Sequence, residues 1–221
     1  MRLAVFDLDH TLLDGDSDVL WCEFLMDEGL LERASFEPRN AAMESGYRNG
    51  TVTVQAFCDF YVGTLAGRTP AQWEPLRQRF SRERVQPRLH AGTAALLQQH
   101  RQRGDLLVLS TATNRYITEP TAAALGFEHL IATECELDAQ GRFSGRTQGE
   151  PNMRDGKVGR LHRWLAARGL SLDALHSLFY SDSMNDLPLL EQVREPVVTH
   201  GDERLLALAR ERGWRTISLQ A

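Results

Sequence analysis

The stretch LAVFDLDHTLLDGDSD, Leu3 to Asp18, constrains this chain more than any other. Leu3 to Phe6 is a short apolar run closed by polar residues, which reads as a buried strand. Directly after it stand Asp7 and Asp9, followed by Asp14, Asp16 and Asp18. Residues two apart on an extended chain point to the same side, so Asp7 and Asp9 present their carboxylates together. Five aspartates between positions 7 and 18 repel one another unless something positive or phosphate-like sits among them.

The spacing of apolar residues places this strand in a larger sheet. From Val19 to about Val85 the pattern is helical. Trp21, Phe24, Leu25 and Glu28 open one helix, Val54, Phe57, Phe60, Tyr61 and Leu65 mark another, and Trp73, Leu76 and Phe80 a third. No strand run stands out there, although TVTV, Thr51 to Val54, alternates in the manner of one. After Pro87, strands and helices alternate. His90 to Arg103 is a helix stopped by Gly104, DLLVLS (Asp105 to Ser110) is a strand, and RYITEPTAAALGF is helical. LIATECELDAQGRFSG predicts two strands around a turn at Asp138 to Gly141. Lys157 to Arg168 is a helix ending at Gly169, HSLFYSD, EPVVT and WRTIS are strands, and a helix crosses Asp202 to Arg212.

Alternation of this kind predicts an α/β fold: a doubly wound, mostly parallel sheet covered on both faces, with an inserted all-helical segment. The expected division is a core of residues 1–14 and 86–221 and a helical cap of residues 15–85. Ligands of such sheets bind beyond the carboxyl ends of the strands, at a switch point.

Composition narrows the partners. The chain has 221 residues, a net charge of -5 and a 42% hydrophobic share, enough for a proper core. Mild acidity argues against a nucleic-acid partner. No apolar run approaches the ~20 residues of a membrane span, and the first strand is too short for a signal-peptide core. Cys22, Cys58 and Cys135 form no CxxC pair and read as reduced thiols of a cytoplasmic protein.

Polar clusters follow the core strands: Asp7 and Asp9, then Ser110, Thr111 and Asn114, then Asp182, Ser183, Asn185 and Asp186. With DLDHT (Asp7 to Thr11), VLSTATN, Lys157 in DGKVGRL, and SDSMNDLPLL, the chain resembles the haloacid dehalogenase (HAD) superfamily phosphatases, in the phosphoserine-phosphatase-like branch with a helical cap. The motifs stand in the family's order, and the helical segment falls where the family inserts its cap. Ser181 departs from the pattern, standing where glycine is usual.

The resemblance implies a HAD-like Rossmannoid core and a magnesium-dependent phosphomonoesterase. Asp7 is then the nucleophile, forming an aspartyl-phosphate, and a carboxylate needs no base to activate it. Asp9 protonates the leaving oxygen and later deprotonates water. Thr111 and Lys157 hold the non-bridging phosphate oxygens. Asp7, the backbone carbonyl of Asp9 and Asp182 are the expected magnesium ligands, with Asp186 behind them. The motif hydroxyl is Ser110 or Thr111, and Thr111 is preferred because it abuts ATN.

Ser110, Asn114, Asn185, Asp16 and Arg48 are the expected substrate-binding residues. In the phosphoserine phosphatases that the chain resembles, an acidic residue matching Asp16 takes a substrate ammonium, although Asp16 also reads as a helix N-cap. Those enzymes use a cap arginine for a substrate carboxylate, for which Arg33, Arg39 and Arg48 are candidates. The implied substrate is a small amino-bearing phosphomonoester, phosphoserine or histidinol phosphate. A phosphotransferase or phosphomutase, or a phosphate-ligand-binding protein without catalysis, stands as the alternative. His10 reads as structural, the four tryptophans as core, and Arg77, Arg79, Arg82, Arg84 and Arg88 as a solvated face.

Overall fold

The computed structural model of the chain describes residues 1–48 and 51–220, apart from the side chains of Tyr47 and Arg48. Among the described residues, one sheet contains β1 (Arg2–Phe6), β2 (Leu106–Asn114), β3 (Leu130–Thr133), β6 (His176–Ser181), β7 (Glu195–Thr199) and β8 (Arg215–Ile217). Their order is β3-β2-β1-β6-β7-β8, and every pairing is parallel. The chain winds from β1 outward to β3, then returns beside β1 as β6. The switch point therefore lies between β1 and β6, where Phe6 pairs with Tyr180.

Side-chain alternation makes two cores. Leu3 and Val5 face one way with Val108, Phe179 and Val198, under α7 (Asp155–Ala166), α8 (Leu187–Leu190) and α9 (Glu203–Arg212). Ala4 and Phe6 face the other with Leu109, Leu178 and Tyr180, under α5 (Thr93–Gln102) and α6 (Arg115–Ala124). The second core continues into the helical segment through Trp21 and Phe24 of α1 (Ser17–Asp27) and Trp73 and Phe80 of α4 (Pro70–Phe80). Trp21 and Phe80 meet edge to face with ring centroids 5.1 Å apart. Each buried indole finds an acceptor, Trp21 at Thr64 Oγ1 (3.0 Å) and Trp73 at the Leu65 carbonyl (2.8 Å). A smaller cluster, Cys22, Phe36 and Tyr61, joins α1 to α2 (Arg33–Arg48) and α3 (Val54–Val62).

Several expectations are corrected. LIATECEL is two strands rather than one: β3 joins the parallel sheet, whereas β4 (Cys135–Leu137) pairs antiparallel with β5 (Phe143–Thr147). This hairpin packs on the helical segment, with Thr147 N–H donating to Asp59 and Gly67 N–H to the Phe143 carbonyl. Strand β2 runs past Ser110 to Asn114. Helix α2 carries too few apolar residues for its period to stand out, and among its described side chains Phe36 alone is buried. Trp164 and Trp214 are half-buried beneath Arg168 and Arg212 rather than in the core. Among the described residues no helix is long and apolar enough to cross a membrane.

Candidate active site

The acids that follow β1 and β6 meet at the switch point. Asp7 N–H donates to the Tyr180 carbonyl (2.9 Å), which carries the sheet ladder one residue beyond β1 and fixes the Asp7 backbone. Lys157, in the first turn of α7, reaches Asp7 Oδ1 at 2.9 Å and Asp186 at 2.8 Å while only 2% exposed. Gly156 lets that turn approach so closely, because a Cβ there would lie 2.2 Å from the Pro151 carbonyl oxygen. Ser181 Oγ donates to Asp186 at 2.7 Å.

Thr11 ties the two strand ends together. Its hydroxyl lies 3.1 Å from Asp7 Oδ2 and 3.0 Å from Asp182 Oδ1, and it accepts from Asp182 N–H. One hydroxyl proton serves only one of these carboxylates at a time. Burial, with Asp186 and Asp9 adding to it and Lys157 opposing, raises the Asp7 carboxyl to about 7. Burial and then Asp7 raise Asp182 to about 8. Burial works to lower the Lys157 ammonium, but Asp186 and Asp7 outweigh it and hold the group charged.

Three carboxylates, Asp7, Asp182 and Asp186, thus gather at a site with one ammonium, which pairs with Asp7 and Asp186. Such a site is short of positive charge, and its donors are hard oxygens, the set that suits magnesium. Among the described residues no three His, Cys, Asp or Glu side chains converge as a complete metal cage. Two carboxylates completed by a carbonyl and water fit magnesium, which keeps several waters in its shell.

Asp9 is held separately. Oδ1 accepts from Ser17 N–H at 2.7 Å, and Oδ2 from the hydroxyls of Thr113 at 2.8 Å and Thr111 at 3.3 Å. The site opens into a cavity of about 620 Å³, whose wall also carries Asp16, Asp18, Glu44, Phe57 and Tyr61. Eight described carboxylates line it against Lys157, Arg88 and the imidazole of His10. Burial, then Asp9, raises the Asp16 carboxyl to about 7, and burial, then Asp16 and Asp9, raises Asp18.

Of the residues singled out in the sequence, the fold brings together Asp7, Asp9, Thr111, Lys157, Asp182 and Asp186, with Asp16 and Asn185 in the cavity wall. Asp16 also caps α1, accepting from Val19 N–H at 3.0 Å. Ser110 is a correction. It points to the other side of β2, where its hydroxyl accepts from Asn152, and it does not line the cavity. Asn114 is another, since its oxygen caps α6 at Ile117 N–H and its amide donates to Asp18. Arg33 pairs with Asp27 and Glu37 at the surface, and Arg39 is exposed near the Phe60 ring. The side chain of Arg48 lies outside the described residues. In the basic run, Arg77, Arg79, Arg82 and Arg84 pair with nearby acids, while Arg88 reaches the cavity.

Thr113, Ser17, Glu44 and Arg88 have no motif to mark them. Period two along β2 was the one available signal, since it puts Thr113 on the same side as Thr111.

A family model for haloacid dehalogenase-like hydrolases matches residues 4–191. The chain belongs to this family. Within the HAD-like hydrolases it is 36% identical over 220 residues to a histidinol-phosphatase of Neisseria meningitidis serogroup C (strain 8013), covering 99% of both chains. It is 31% identical over 219 residues to a phosphoserine phosphatase of Mycobacterium tuberculosis (strain ATCC 25618 / H37Rv), covering 96% of this chain and 68% of that one. Among solved structures, a protein of unknown function from Bordetella pertussis Tohama I superposes with a TM-score of 0.94 at 41% identity, covering 99% and 98% of the two chains. A substrate-bound phosphoserine phosphatase shares the fold, with a TM-score of 0.69 at 15% identity over 98% and 92%. The chain is accordingly a HAD-family phosphatase.

Proposed function

We propose that the protein is a magnesium-dependent phosphomonoesterase that works through an aspartyl-phosphate, with histidinol phosphate as its substrate. The observation that carries the substrate is the acidic wall of the cavity, Asp16, Asp18 and Glu44, which Phe57 and Tyr61 also line. An ammonium and an imidazole fit such a wall. A carboxylate, as in phosphoserine, finds no cation in that wall, and no described cap arginine lines the cavity to receive one. The N. meningitidis relative, named a histidinol-phosphatase, supports the same choice.

In the first half-reaction Asp7 attacks phosphorus while Asp9 gives its proton to the leaving alkoxide as the ester bond breaks. In the second, Asp9 takes a proton from water, which attacks the aspartyl-phosphate and frees Asp7 and inorganic phosphate. Lys157 opposes the burial that raises the Asp7 carboxyl and faces a phosphate oxygen, and Thr111 turns from its long contact with Asp9 toward another. Asp7, Asp182 and the Asp9 carbonyl would hold magnesium, with Asp186 supporting Lys157. The ion supplies charge neutralisation that lets a phosphate dianion approach these acids.

Chelation by EDTA is expected to abolish phosphate release and magnesium to restore it. Calcium should substitute poorly, because its longer bonds and higher coordination disturb in-line geometry. Full activity in chelator would refute the metal assignment. Free phosphate should form in water with no added acceptor, which separates hydrolysis from phosphotransfer.

A panel of histidinol phosphate, phosphoserine and amine-free sugar phosphates tests the substrate. Histidinol phosphate should lead by about tenfold or more in kcat/KM, the discrimination expected of one or more charge contacts. Asp16→Asn keeps the helix cap but removes the charge, so it should shrink that lead with little loss of stability. A preference for phosphoserine would overturn the choice and point to Arg88. A sugar phosphate in the lead would overturn the amine reading altogether.

A further inference from the structure

We infer that Thr113 is a positioning residue for the Asp9 carboxylate, an inference that rests on the phosphomonoesterase reading above. Thr113 sits at the end of β2, is 3% exposed, and shares the cavity wall with Ala112. Its hydroxyl donates to Asp9 Oδ2 at 2.8 Å. It accepts in turn from Ser17 Oγ at 3.1 Å, and Ser17 is 2% exposed at the start of α1. Ser17 N–H holds the other carboxylate oxygen at 2.7 Å. The first residue of α1 and a residue of the core sheet therefore grip Asp9 from opposite ends of its carboxylate.

The count of acceptor positions shows what this grip does. An ionised carboxylate offers about four lone-pair positions. Thr113 and Thr111 occupy Oδ2, and Ser17 N–H occupies one position on Oδ1. The remaining position lies on Oδ1. The carboxylate plane is thereby set, and Oδ1 keeps one position open to carry the proton of the acid form. The contacts differ in strength, 2.8 Å for Thr113 against 3.3 Å for Thr111. When Thr111 turns to a phosphate oxygen, Thr113 is the hydroxyl that stays. It acts on the reaction through Asp9 and needs no contact with the substrate.

The test uses the dependence on the leaving group. Help from a general acid matters most when the departing oxygen is strongly basic, and kcat/KM reports the steps up to phosphoryl transfer. Two substrates are compared in the full-length protein with magnesium: histidinol phosphate, an alkyl ester, and p-nitrophenyl phosphate, whose leaving group needs little protonation. Asp9→Asn sets the scale by raising the aryl-to-alkyl ratio of kcat/KM. Thr113→Val keeps the shape and removes the hydroxyl. It should raise the same ratio by roughly tenfold, the size expected when a catalytic group is displaced from its working geometry. Thr113→Ser should return the ratio to within about threefold of wild type, since its hydroxyl restores the same bond. Ser17→Ala removes the support of Thr113 and should move the ratio the same way by less. It carries the test if Thr113→Val does not fold. A wild-type ratio in folded Thr113→Val, or in Ser17→Ala where that variant carries the test, while Asp9→Asn is shifted, overturns this inference alone. An unshifted ratio in Asp9→Asn overturns the acid role of Asp9 and this inference with it.

Discussion

Asp7→Asn is expected to lower kcat/KM by roughly four to six orders of magnitude, the scale seen when an enzyme loses its nucleophile. The substitution keeps the size of the side chain and removes the oxygen that forms the covalent bond. The protein should remain folded. Asp7 is buried beside Asp186 and Asp9, and its carboxyl is raised to about 7, so in the metal-free protein its charge opposes folding at neutral pH. Lys157 keeps Asp186 as a partner at 2.8 Å after the change. The metal-free melting temperature should therefore stay level or rise, and lost activity cannot be ascribed to unfolding. Acid-quenched wild-type enzyme should carry phosphate from a labelled substrate, and Asp7→Asn should carry none. Retention of more than a few per cent of activity would refute the covalent route.

Lys157→Met has the second large effect, and it acts on stability as well as rate. The ammonium bridges Asp7 and Asp186, and all three side chains are nearly excluded from water. Removing one partner of a buried ion pair costs about 3–5 kcal/mol because the charges left behind are uncompensated. For a chain of this length that corresponds to a melting temperature lower by roughly 6–20 °C. The rate should fall by roughly 10²–10³ or more, since both the ionised nucleophile and a stabiliser of the transition-state oxygens are lost. Adding Asp186→Asn to Lys157→Met removes one orphaned charge, so the double variant should regain part of the stability and none of the activity. Calorimetry and phosphate release measured on the same samples separate the two. A melting temperature equal to wild type in Lys157→Met would show that the bridge does not hold the two strand ends.

Some of this was readable because it is local. Asp7 and Asp9 stand two residues apart after an apolar run, so the pleat alone puts both carboxylates on one side of a strand end. Each apolar run of the core became a strand within a few residues of its expected bounds, because a strand buried on both faces leaves a continuous apolar signature. Lys157 was identified from its place among the motifs, and α7 delivers it to Asp7 across 150 positions of sequence. Boundaries held less well where apolar content was thin, as in α2, or where one run served two sheets, as in LIATECEL.

The sequence by itself therefore determined the α/β class, the acid-bearing strand ends and the lysine that joins them, since periodicity and short spacing encode them. Only the tertiary structure decided which hydroxyl faces Asp9. Ser110 and Thr111 are neighbours in sequence and differ in the side of β2 they occupy, and Ser110 is taken up by Asn152, 42 positions away. The Ser17–Thr113 contact spans 96 positions and the Thr113–Asp9 contact 104. The acidic wall of the cavity likewise joins α1, α2 and α3, and no local pattern relates Asp16 and Asp18 to Glu44 or Tyr61. Contacts of this range depend on how helices seat on the sheet and on side-chain direction at a strand end where β2 shifts register against β3, neither of which the period of apolar residues records.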